Sequence, residues 1–301
     1  MKQQFYSNGK LLITGEYLVL DGANALALPT KFGQSMHVES LEEPIIHWKS
    51  FDKDGTVWFE KQISLNELVS TSLNDQTLNN IIMTLSEAKK LNTSFLSTNT
   101  GFKITTKLDF PRNWGLGSSS TLINNIASWA KVDAFLLSQA TFGGSGYDIA
   151  AAQNNLSILY SNSNNLIQTK SQPLNWGFTD QLFFIHLNKK QNSRDGVVNY
   201  KKQKKDKSLP IAEVNSITSQ ISSCKSMQEF EELISLHEEI ISEVIQQRTI
   251  KEILFSDYKG AIKSLGAWGG DFILATGNAE DMNYFKRKGF ETILTYQEMI
   301  L

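Results

Sequence analysis

A loop rich in glycine and serine, residues 111–120, constrains the fold of this chain more than any other feature. It follows an alternating stretch, 102–108, that is typical of a half-buried strand, and it precedes a helical pattern. The apolar residues of that helix recur on one face: Leu122, Ile123, Ile126, Trp129 and Ala130. A glycine turn that opens a helix presents unpaired backbone N–H groups and the positive end of the helix dipole to an anion. An ordinary serine-capped helix start has the same pattern, so the loop alone leaves both interpretations open.

Within this loop, Gly115 and Gly117 lack a side chain that would keep a phosphate away from the backbone. The hydroxyl groups of Ser118, Ser119 and Ser120 are suited either to capping the helix or to reaching a metal ion bound to a phosphate.

The overall composition excludes several functional classes. The 301 residues carry 29 Lys and Arg against 31 Asp and Glu, and this net charge of −2 argues against a general nucleic-acid or membrane-surface binder. Cys224 is the only cysteine, which excludes disulfides within the chain and cysteine-based zinc sites. The sequence has no signal-peptide pattern and no apolar run near the roughly 18 residues that span a bilayer. We therefore expect a cytoplasmic protein, a monomer or a homodimer, whose partner is a small molecule.

Strand-like patterns dominate the first hundred residues, where a helix is also predicted at 78–91. The predicted strands are 11–14, 17–20, 36–40, 45–49 and 56–59, with Asp54-Gly55 as a hairpin turn between the last two. A glycine cluster at 143–148 then precedes a helical start at 149–153, and 156–160 is again strand-like.

The polar stretch 161–175 is predicted to be a loop that separates two domains, 1–170 and 171–301. In the second domain a basic run at 201–207 is predicted to be a solvated loop. Strands at 181–187, 272–276 and 292–296 and helices at 229–246 and 280–288 favour an α+β sandwich with helices on one face of a sheet. His237 lies on the apolar face of the longer helix, which favours a position at the edge of the core over a metal-binding role.

Two further glycine-containing segments accompany the loop. The first segment, 9–20, reads Gly-Lys-Leu-Leu-Ile-Thr-Gly-Glu-Tyr-Leu-Val-Leu, and the third segment, 265–272, reads Leu-Gly-Ala-Trp-Gly-Gly-Asp-Phe. In this order, with the loop at 111–120 as the second segment, they resemble the three motifs of the GHMP kinase superfamily. Members of that superfamily phosphorylate galactose, homoserine, mevalonate and phosphomevalonate. The third segment departs from the family pattern because Trp268 stands where a small residue is usual.

The resemblance implies an α+β fold of two domains: an N-terminal α/β domain with a left-handed βαβ crossover and a C-terminal ferredoxin-like domain. It also implies a kinase that uses ATP and Mg²⁺. The phosphates of ATP would lie over Gly115, Leu116, Gly117, Ser118, Ser119 and Ser120, with Ser119 reaching Mg²⁺ or a phosphate. The residues that would close the site beside the phosphates are Gly266, Ala267, Gly269 and Gly270.

In the first segment, Lys10 matches the lysine that the family places near the transferring phosphoryl group or the substrate. A solvated lysine at a strand start is the alternative. Glu16 occupies the acidic position of the same motif, where it would either contact the substrate or form structural hydrogen bonds.

Asp148 ends the sequence Ser145-Gly146-Tyr147-Asp148, which matches a Ser-Gly-x-Asp pattern of mevalonate kinases and their relatives. The resemblance implies that Asp148 orients or deprotonates the acceptor hydroxyl, with Ser145 and Gly146 beside the substrate. The alternative is that Asp148 is the N-cap of the helix that follows.

One expected part of the site is missing. Mevalonate kinases carry a glutamate roughly eleven residues before the aspartate as a second Mg²⁺ ligand, but the corresponding stretch here, 135–138, is mostly apolar. Asp133 is the nearest upstream acid. Either Ser119, phosphates and water hold the metal, as is common for Mg²⁺, or the activity is weak or lost.

The acceptor is predicted from two local features. Gly15-Glu16-Tyr17 and the Gly-Gly-Asp ending at Asp271 are similar to phosphomevalonate kinases. The stretch 188–194 resembles a basic loop near the acceptor in those enzymes and in diphosphomevalonate decarboxylases, and its Lys189, Lys190 and Arg194 are suited to a carboxylate or phosphate. An ordinary basic loop at a strand end is the alternative.

We therefore expect a kinase that transfers the γ-phosphoryl group of ATP to a mevalonate- or phosphomevalonate-like acceptor. A non-catalytic protein of the same fold that binds a nucleotide or metabolite is one alternative, and a kinase for homoserine or a sugar is another.

Overall fold

The computed structural model describes residues 2–65, 68, 75–98, 100–163, 166–190, 193–203, 205–266 and 268–301. The chain forms two compact units. Unit 1 comprises Met1–Gly9, Phe32–Arg112 and Leu116–Gln153, and unit 2 comprises Lys10–Lys31, Asn113–Gly115 and Asn154–Leu301. These units do not coincide with the predicted domains, 1–170 and 171–301, because residues 10–31 and 154–170 group with the C-terminal residues.

Unit 1 is built on a sheet. Its strands are β1 (Lys2–Thr14), β2 (Ala25–Leu41), β3 (Ile45–Phe51), β4 (Val57–Ser64) and β5 (Gly101–Leu108), and both β1 and β2 continue into unit 2. The strand order is β4-β3-β5-β2, and β1 also pairs with β2. β3 and β4 form the predicted hairpin around Gly55, while β3 runs parallel to β5.

In the described residues of unit 1, the α-helices beside this sheet are α1 (Gln76–Leu91), α2 (Ser118–Ala130), α3 (Ala134–Thr141) and α4 (Tyr147–Ala152). Side chains of β3 alternate between buried and half-buried, as the period of a strand with one covered face requires. Its buried Ile46 and Trp48 belong to one core with Leu85 of α1 and Ile126 of α2. This burial of apolar surface is the main stabilising contribution to unit 1.

Unit 2 begins with a hairpin of β6 (Ile158–Ser163) and β7 (Leu166–Ser171), in which β6 pairs with the Ala25–Ala27 part of β2. A second sheet contains β8 (Leu182–His186), β9 (Ile262–Ser264), β10 (Phe272–Thr276) and β11 (Ile293–Thr295), in the antiparallel order β11-β8-β10-β9.

The helices of unit 2 are α5 (Ser193–Lys202), α6 (Ser208–Ser223), α7 (Met227–Ile245), α8 (Ile250–Leu254), α9 (Asn283–Arg287) and α10 (Tyr296–Met299). The helices α5 to α8 connect β8 to β9, and α9 connects β10 to β11. This βαββαβ sequence with its strand order is ferredoxin-like, which confirms the predicted C-terminal architecture. No helix in the described ranges has the length and apolarity that crossing a membrane requires.

Three predicted elements are wrong. The stretch 17–20 is a 3-10 helix, Leu18–Asp21, because Gly15 and Tyr17 adopt positive φ angles that end the strand. The predicted loop 161–175 contains β7, whose side chains are all exposed and do not alternate between apolar and polar. The basic run 201–207 includes the last turn of α5, and Lys207 forms an ion pair with Asp21.

Buried hydrogen bonds attach α2 to β1 and β2 within unit 1. The side-chain amide of Asn125 donates to the backbone oxygen of Gln34 over 2.9 Å, and its oxygen accepts from the hydroxyl of Ser7 over 2.8 Å. Thr121 Oγ1 donates to Gln34 Oε1 over 2.8 Å. Because these groups are almost completely buried, each depends on its protein partner for a hydrogen bond.

We predict that Asn125→Ala lowers the free energy of unfolding by about 2–4 kcal/mol, because it leaves both Gln34 O and the Ser7 hydroxyl buried without their amide partner. Denaturant unfolding measures this change. The control is Gln139→Ala, an exposed position on α3, which should stay within about 0.5 kcal/mol of the wild type. Equal losses in both variants would contradict a specific role for the Asn125 network.

Candidate functional site

The second segment opens α2 with a helix start that no side chain caps. The N-cap residue is Gly117, in the left-handed conformation with a φ of 88°. Ser120 Oγ donates to the backbone oxygen of Gly117 over 2.9 Å, so it turns away from the N–H groups of the helix, and Ser118 is the first helical residue. Of the two roles open to these hydroxyl groups, capping is therefore not the one that Ser118 and Ser120 adopt. The first turn of α2, with the exposed Ser119, keeps its positive dipole end without a capping side chain.

The residues just before this turn pack within unit 2. Trp114 meets the ring of Phe272 edge to face, with centroids 5.2 Å apart, and His186 Nε2 lies 3.1 Å from the backbone oxygen of Asn113. Gly115 then approaches the carboxyl group of Asp271 so closely that an added Cβ would lie 2.3 Å from Cγ of Asp271. With a φ of 68° as well, position 115 requires glycine.

Asp271 connects the second and third segments. Its N–H donates to the backbone oxygen of Lys189 over 2.7 Å, and its own backbone oxygen accepts from the N–H of Leu187. Its carboxyl group faces Gly115 on one side and Gly266 on the other, where an added Cβ would be 3.2 Å from Oδ2. The structure therefore brings Gly115 and the third segment together, as the resemblance implies.

The remaining residues of the third segment are in the same unit. Gly269 has a φ of 87° and Gly270 is buried, whereas Ala267 lies outside the described residues. Trp268 is 2% exposed and packs in an apolar cluster that includes Tyr17 and Leu18 of the first segment.

Asp148 lies in unit 1 on α4, next to α2. The N-cap of α4 is Gly146, with a φ of 90°, so Asp148 is inside the first helical turn and the N-cap interpretation is wrong. Ser145 is buried, and Asp148 is half-buried. At the other end of α4, Gln153 Nε2 donates to Asn124 Oδ1 of α2 over 2.9 Å. This bond fixes the helix that carries Asp148 against the helix that starts at Gly117.

The stretch that lacks the glutamate is part of the core in unit 1. Leu137 of α3 is fully buried, and Asp133 is the N-cap of α3, where its carboxylate accepts from the N–H groups of Phe135 and Leu136. In the part of the chain that the structure describes, no group of three His, Cys, Asp or Glu side chains is arranged to hold a metal ion.

Lys10 is buried inside β1, with 8% of its surface exposed. The interpretation as a solvated lysine at a strand start is therefore wrong, because β1 begins at Lys2 and Lys10 lies well within it.

Glu16 lies in a buried charge cluster of unit 2 that we call the Lys263 cluster, comprising Glu16, His237, Glu238, Lys263 and Ser264. Lys263 Nζ donates to Glu16 Oε1, to Glu238 Oε1 over 2.9 Å and to the backbone oxygen of Ser264 over 2.6 Å. Glu238 Oε2 accepts from Ser264 Oγ over 2.8 Å. With 2% of its surface exposed, Glu16 fits the structural alternative, and this burial argues against contact with a substrate.

Glu16 and His237 are neighbours, but their side chains form no hydrogen bond with each other. His237 Nε2 accepts the N–H of Gly15 over 3.0 Å and lies 3.4 Å from Glu16 Oε2. Among the described residues, neither that carboxylate oxygen nor His237 Nδ1 has a hydrogen-bond partner. His237 is therefore a fully buried, neutral imidazole, deeper in the core than the predicted position at its edge.

Burial and charge together set the pKa values of this cluster. Burial raises the pKa of Glu16 to about 7, although Lys263 opposes the shift. Burial, together with the charge of Lys263, lowers the pKa of His237 well below its usual range. Burial also disfavours the charge of Lys263, but the two carboxylates outweigh it and raise the pKa of that ammonium group.

Lys263 and Glu238 are the site residues that the sequence analysis missed. Glu238 lies three residues before Ile241 and four after Ile234, within the apolar stripe of α7, and Lys263 is the middle residue of β9, whose three residues are all buried. A charged residue at an apolar position on each of two elements is the signal that could have identified the pair.

Arg194 belongs to the first turn of α5, and the structure describes only its backbone. Lys189 and Lys190, just before it, are exposed. The Lys189 backbone contacts Asp271, so this basic stretch begins beside the third segment.

Comparison with known proteins shows the fold. No family model and no curated protein matches the sequence. Mevalonate kinase from Methanococcus jannaschii superposes with a TM-score of 0.71 at 14% identity, over 98% of this chain and 97% of that one. Phosphomevalonate kinase from Streptococcus pneumoniae, in complex with phosphomevalonate and AMPPNP, gives 0.70 at 15% identity, over 97% and 99% of the two chains.

A D-glycero-D-manno-heptose 1-phosphate kinase from Bacteroides thetaiotaomicron gives a TM-score of 0.67 at 12% identity, over 100% of this chain and 96% of that one. The chain therefore has the fold of the GHMP kinases over its whole length, which confirms the predicted α+β fold class. At these identities the likeness concerns the fold.

We predict that Glu16→Gln changes how stability depends on pH. Because the pKa of Glu16 is raised from 4.5 to about 7 on folding, its contribution is fully present below about pH 4.5 and is lost as the pH rises through 7. The difference in free energy of unfolding between wild type and variant should fall over this window, by up to about 1.4 kcal/mol per pH unit.

The difference in free energy of unfolding between wild type and variant is measured because the titration of His237 changes the stability of both proteins in the opposite direction. Its lowered pKa gives stability that is present above pH 6.5 and is lost as the pH falls. Glu239→Gln, at the exposed neighbour of Glu238, is the control and should leave the pH profile unchanged. A Glu16→Gln profile parallel to that of the wild type would contradict a protonated Glu16 in the folded protein.

Proposed function

We propose that this protein is a small-molecule kinase that transfers the γ-phosphoryl group of ATP to an anionic acceptor of the mevalonate or phosphomevalonate type. The observation that carries the proposal is the start of α2: a 13-residue helix that begins at a left-handed glycine without a capping side chain, in a chain with the GHMP kinase fold. The resemblance of the first and third segments to the family motifs supports the same function.

The phosphates of ATP are proposed to bind at the second segment. The backbone N–H groups at Leu116, Gly117 and Ser118 and the dipole of α2 favour an anion there. Gly269 and Gly270 of the third segment are proposed, from the resemblance to the family motif, to bind ATP as well. AMPPNP bound to the phosphomevalonate kinase of the same fold supports ATP as the donor.

Phosphoryl transfer requires positioning and charge stabilisation more than covalent chemistry. Asp148 is proposed to accept the proton of the acceptor hydroxyl, or to orient that hydroxyl for attack on the γ-phosphorus. Its backbone has a fixed position because α4 is bound to α2 through Gln153 and Asn124. Lys10 is proposed to neutralise charge on the phosphoryl group during transfer.

Magnesium fits this site as an ion held mainly by phosphates and water. The exposed hydroxyl of Ser119, in the first turn of α2, is the proposed protein ligand. When bound, Mg²⁺ would neutralise negative charge on the ATP phosphates. Since the described residues offer no set of three ligating side chains, Mg²⁺ is expected to arrive with the nucleotide.

The acceptor is proposed to carry a carboxylate or a phosphate. Lys189, Lys190 and Arg194 provide three positive charges within six residues, and the contact between Lys189 and Asp271 holds the start of this stretch beside the third segment. Ser145 and Gly146 are proposed to contact the same acceptor near Asp148. Proteins of this fold include kinases named for mevalonate, phosphomevalonate and a heptose 1-phosphate, two of which are phosphorylated acceptors.

The experiment is an assay of ADP release with Mg²⁺-ATP and, in turn, mevalonate, phosphomevalonate, homoserine, galactose and heptose 1-phosphate. Turnover of an anionic acceptor, with none for galactose, is the expected result. If an ATP analogue binds but no acceptor is turned over, the result favours a non-catalytic nucleotide-binding protein of the same fold, for which the absent glutamate is the reason. If the ATP analogue does not bind and no acceptor is turned over, the proposal is overturned.

We predict that Asp148→Asn lowers kcat by about a hundredfold or more while an ATP analogue binds with unchanged affinity, since the amide cannot accept the proton. Asp133→Asn is the control, because asparagine also caps a helix and the carboxylate at 133 has no proposed catalytic role. Turnover of Asp148→Asn close to that of the wild type would exclude Asp148 as the base.

A further inference from the structure

Helix α5 rests on the first segment through a position that has no side chain. A Cβ added at Gly196 would lie 2.5 Å from the hydroxyl oxygen of Tyr17 and 3.2 Å from two atoms of its ring. One turn further along α5, Tyr200 packs against the same ring, with centroids 5.6 Å apart. Glycine at position 196 therefore lets α5 lie closer to Tyr17 than any other amino acid at this position would.

Two polar contacts hold Tyr200 at this place. Its hydroxyl donates to Asp21 Oδ2 over 2.5 Å, and Lys207 Nζ donates to the same oxygen over 2.8 Å while lying 3.9 Å from the centre of the Tyr200 ring. Burial opposes ionisation of Asp21, yet the hydrogen bonds from Lys207 and Tyr200 hold its pKa below the usual value. The seat of α5 comprises Tyr17, Asp21, Gly196, Tyr200 and Lys207.

The side chains that the structure describes in α5 are those of residues 196–202. Among them only Tyr200 is buried, Val197 is half-buried and Val198 is 51% exposed. In this part of the helix, Tyr200 and the residues of the seat around it therefore contribute most of the packing.

The seat also contacts the third segment. Trp268 is in a left-handed conformation, with a φ of 43°, and its buried ring shares an apolar cluster with Tyr17 and Tyr200. The stretch that leads into α5 is fixed to the same segment by the bond from Asp271 to Lys189. The first segment, the third segment and α5 thus meet at one aromatic cluster.

We propose that Tyr17, Gly196 and Tyr200 are positioning residues that seat α5 and thereby set the affinity of the kinase for its anionic acceptor. The inference rests on the proposed function, in which Arg194, two residues before Gly196, binds the acceptor. A displacement of α5 moves the backbone that carries Arg194, whereas Tyr17, Gly196 and Tyr200 all lie outside the second segment, which is proposed to hold ATP.

The test is a double-mutant cycle of Gly196→Ala and Tyr17→Phe, with Val198→Ala as a control on the same helix. A methyl group at 196 would overlap the Tyr17 hydroxyl at 2.5 Å, and phenylalanine at 17 removes that atom, which leaves ring contacts near 3.2 Å. Alanine has a higher helix propensity than glycine, so a weaker helix cannot explain a loss in Gly196→Ala.

In Gly196→Ala we expect the acceptor KM to rise about tenfold or more, with the KM for ATP changed by less than about twofold. In the double variant the acceptor KM should return to within about threefold of the wild type, a strongly non-additive result. Val198→Ala should match the wild type. An unchanged acceptor KM in Gly196→Ala, or a double variant as impaired as Gly196→Ala, would overturn the inference.

Failure of the proposed function has a different signature. If the wild type turns over no acceptor, the kinase proposal fails, and hydrogen exchange of the α5 amides still tests the seat. Exchange should accelerate in Gly196→Ala and return to the wild-type rate in the double variant. Equal exchange in all four proteins would show that the Tyr17 contact does not seat α5.

Discussion

An ammonium group enclosed by protein is stable only beside opposite charge, and Lys263 receives that charge from Glu16 and Glu238. Glu16 lies in the turn after β1, Lys263 in β9 and Glu238 in α7. Because Lys263 uses all three of its protons in hydrogen bonds, it fixes these elements relative to one another. The Lys263 cluster therefore holds the first and third segments in place within unit 2. The close contacts at the glycines depend on this arrangement.

Close contacts without a Cβ complete the arrangement. Asp271 lies against Gly115 and Gly266, and Tyr17 lies against Gly196, so two side chains occupy space that ordinary residues would fill. Trp268 also fills space by close packing. Its large ring stands where the family pattern has a small residue, and it lies in the apolar cluster around Tyr17. The departure from the family pattern is thus accommodated by packing, and the neighbouring Gly266 and Gly269 keep positive φ angles that favour glycine.

Local patterns predicted much of the fold. The periodicity of β5, α1 and α7 identified these elements to within a few residues, because each buries one regular face. β10 was identified by its short apolar run, because it is buried along its whole length. β7 was missed because its side chains are all exposed, and the strand at 17–20 was wrong because Gly15 and Tyr17 break the extended backbone. The grouping of residues 10–31 with the C-terminal residues depends on contacts distant in sequence, which no local pattern records.

The sequence by itself determined the order and chemistry of the three segments, the position of Asp148 and the absence of a glutamate before it, because these are matters of residue type and spacing. Only the tertiary structure decided that Lys10 is buried, that Glu16 serves the Lys263 cluster and that glycine at 117 leaves the start of α2 without a capping side chain. The physical reason is that burial, pKa and close contact depend on neighbours that folding brings from distant parts of the chain.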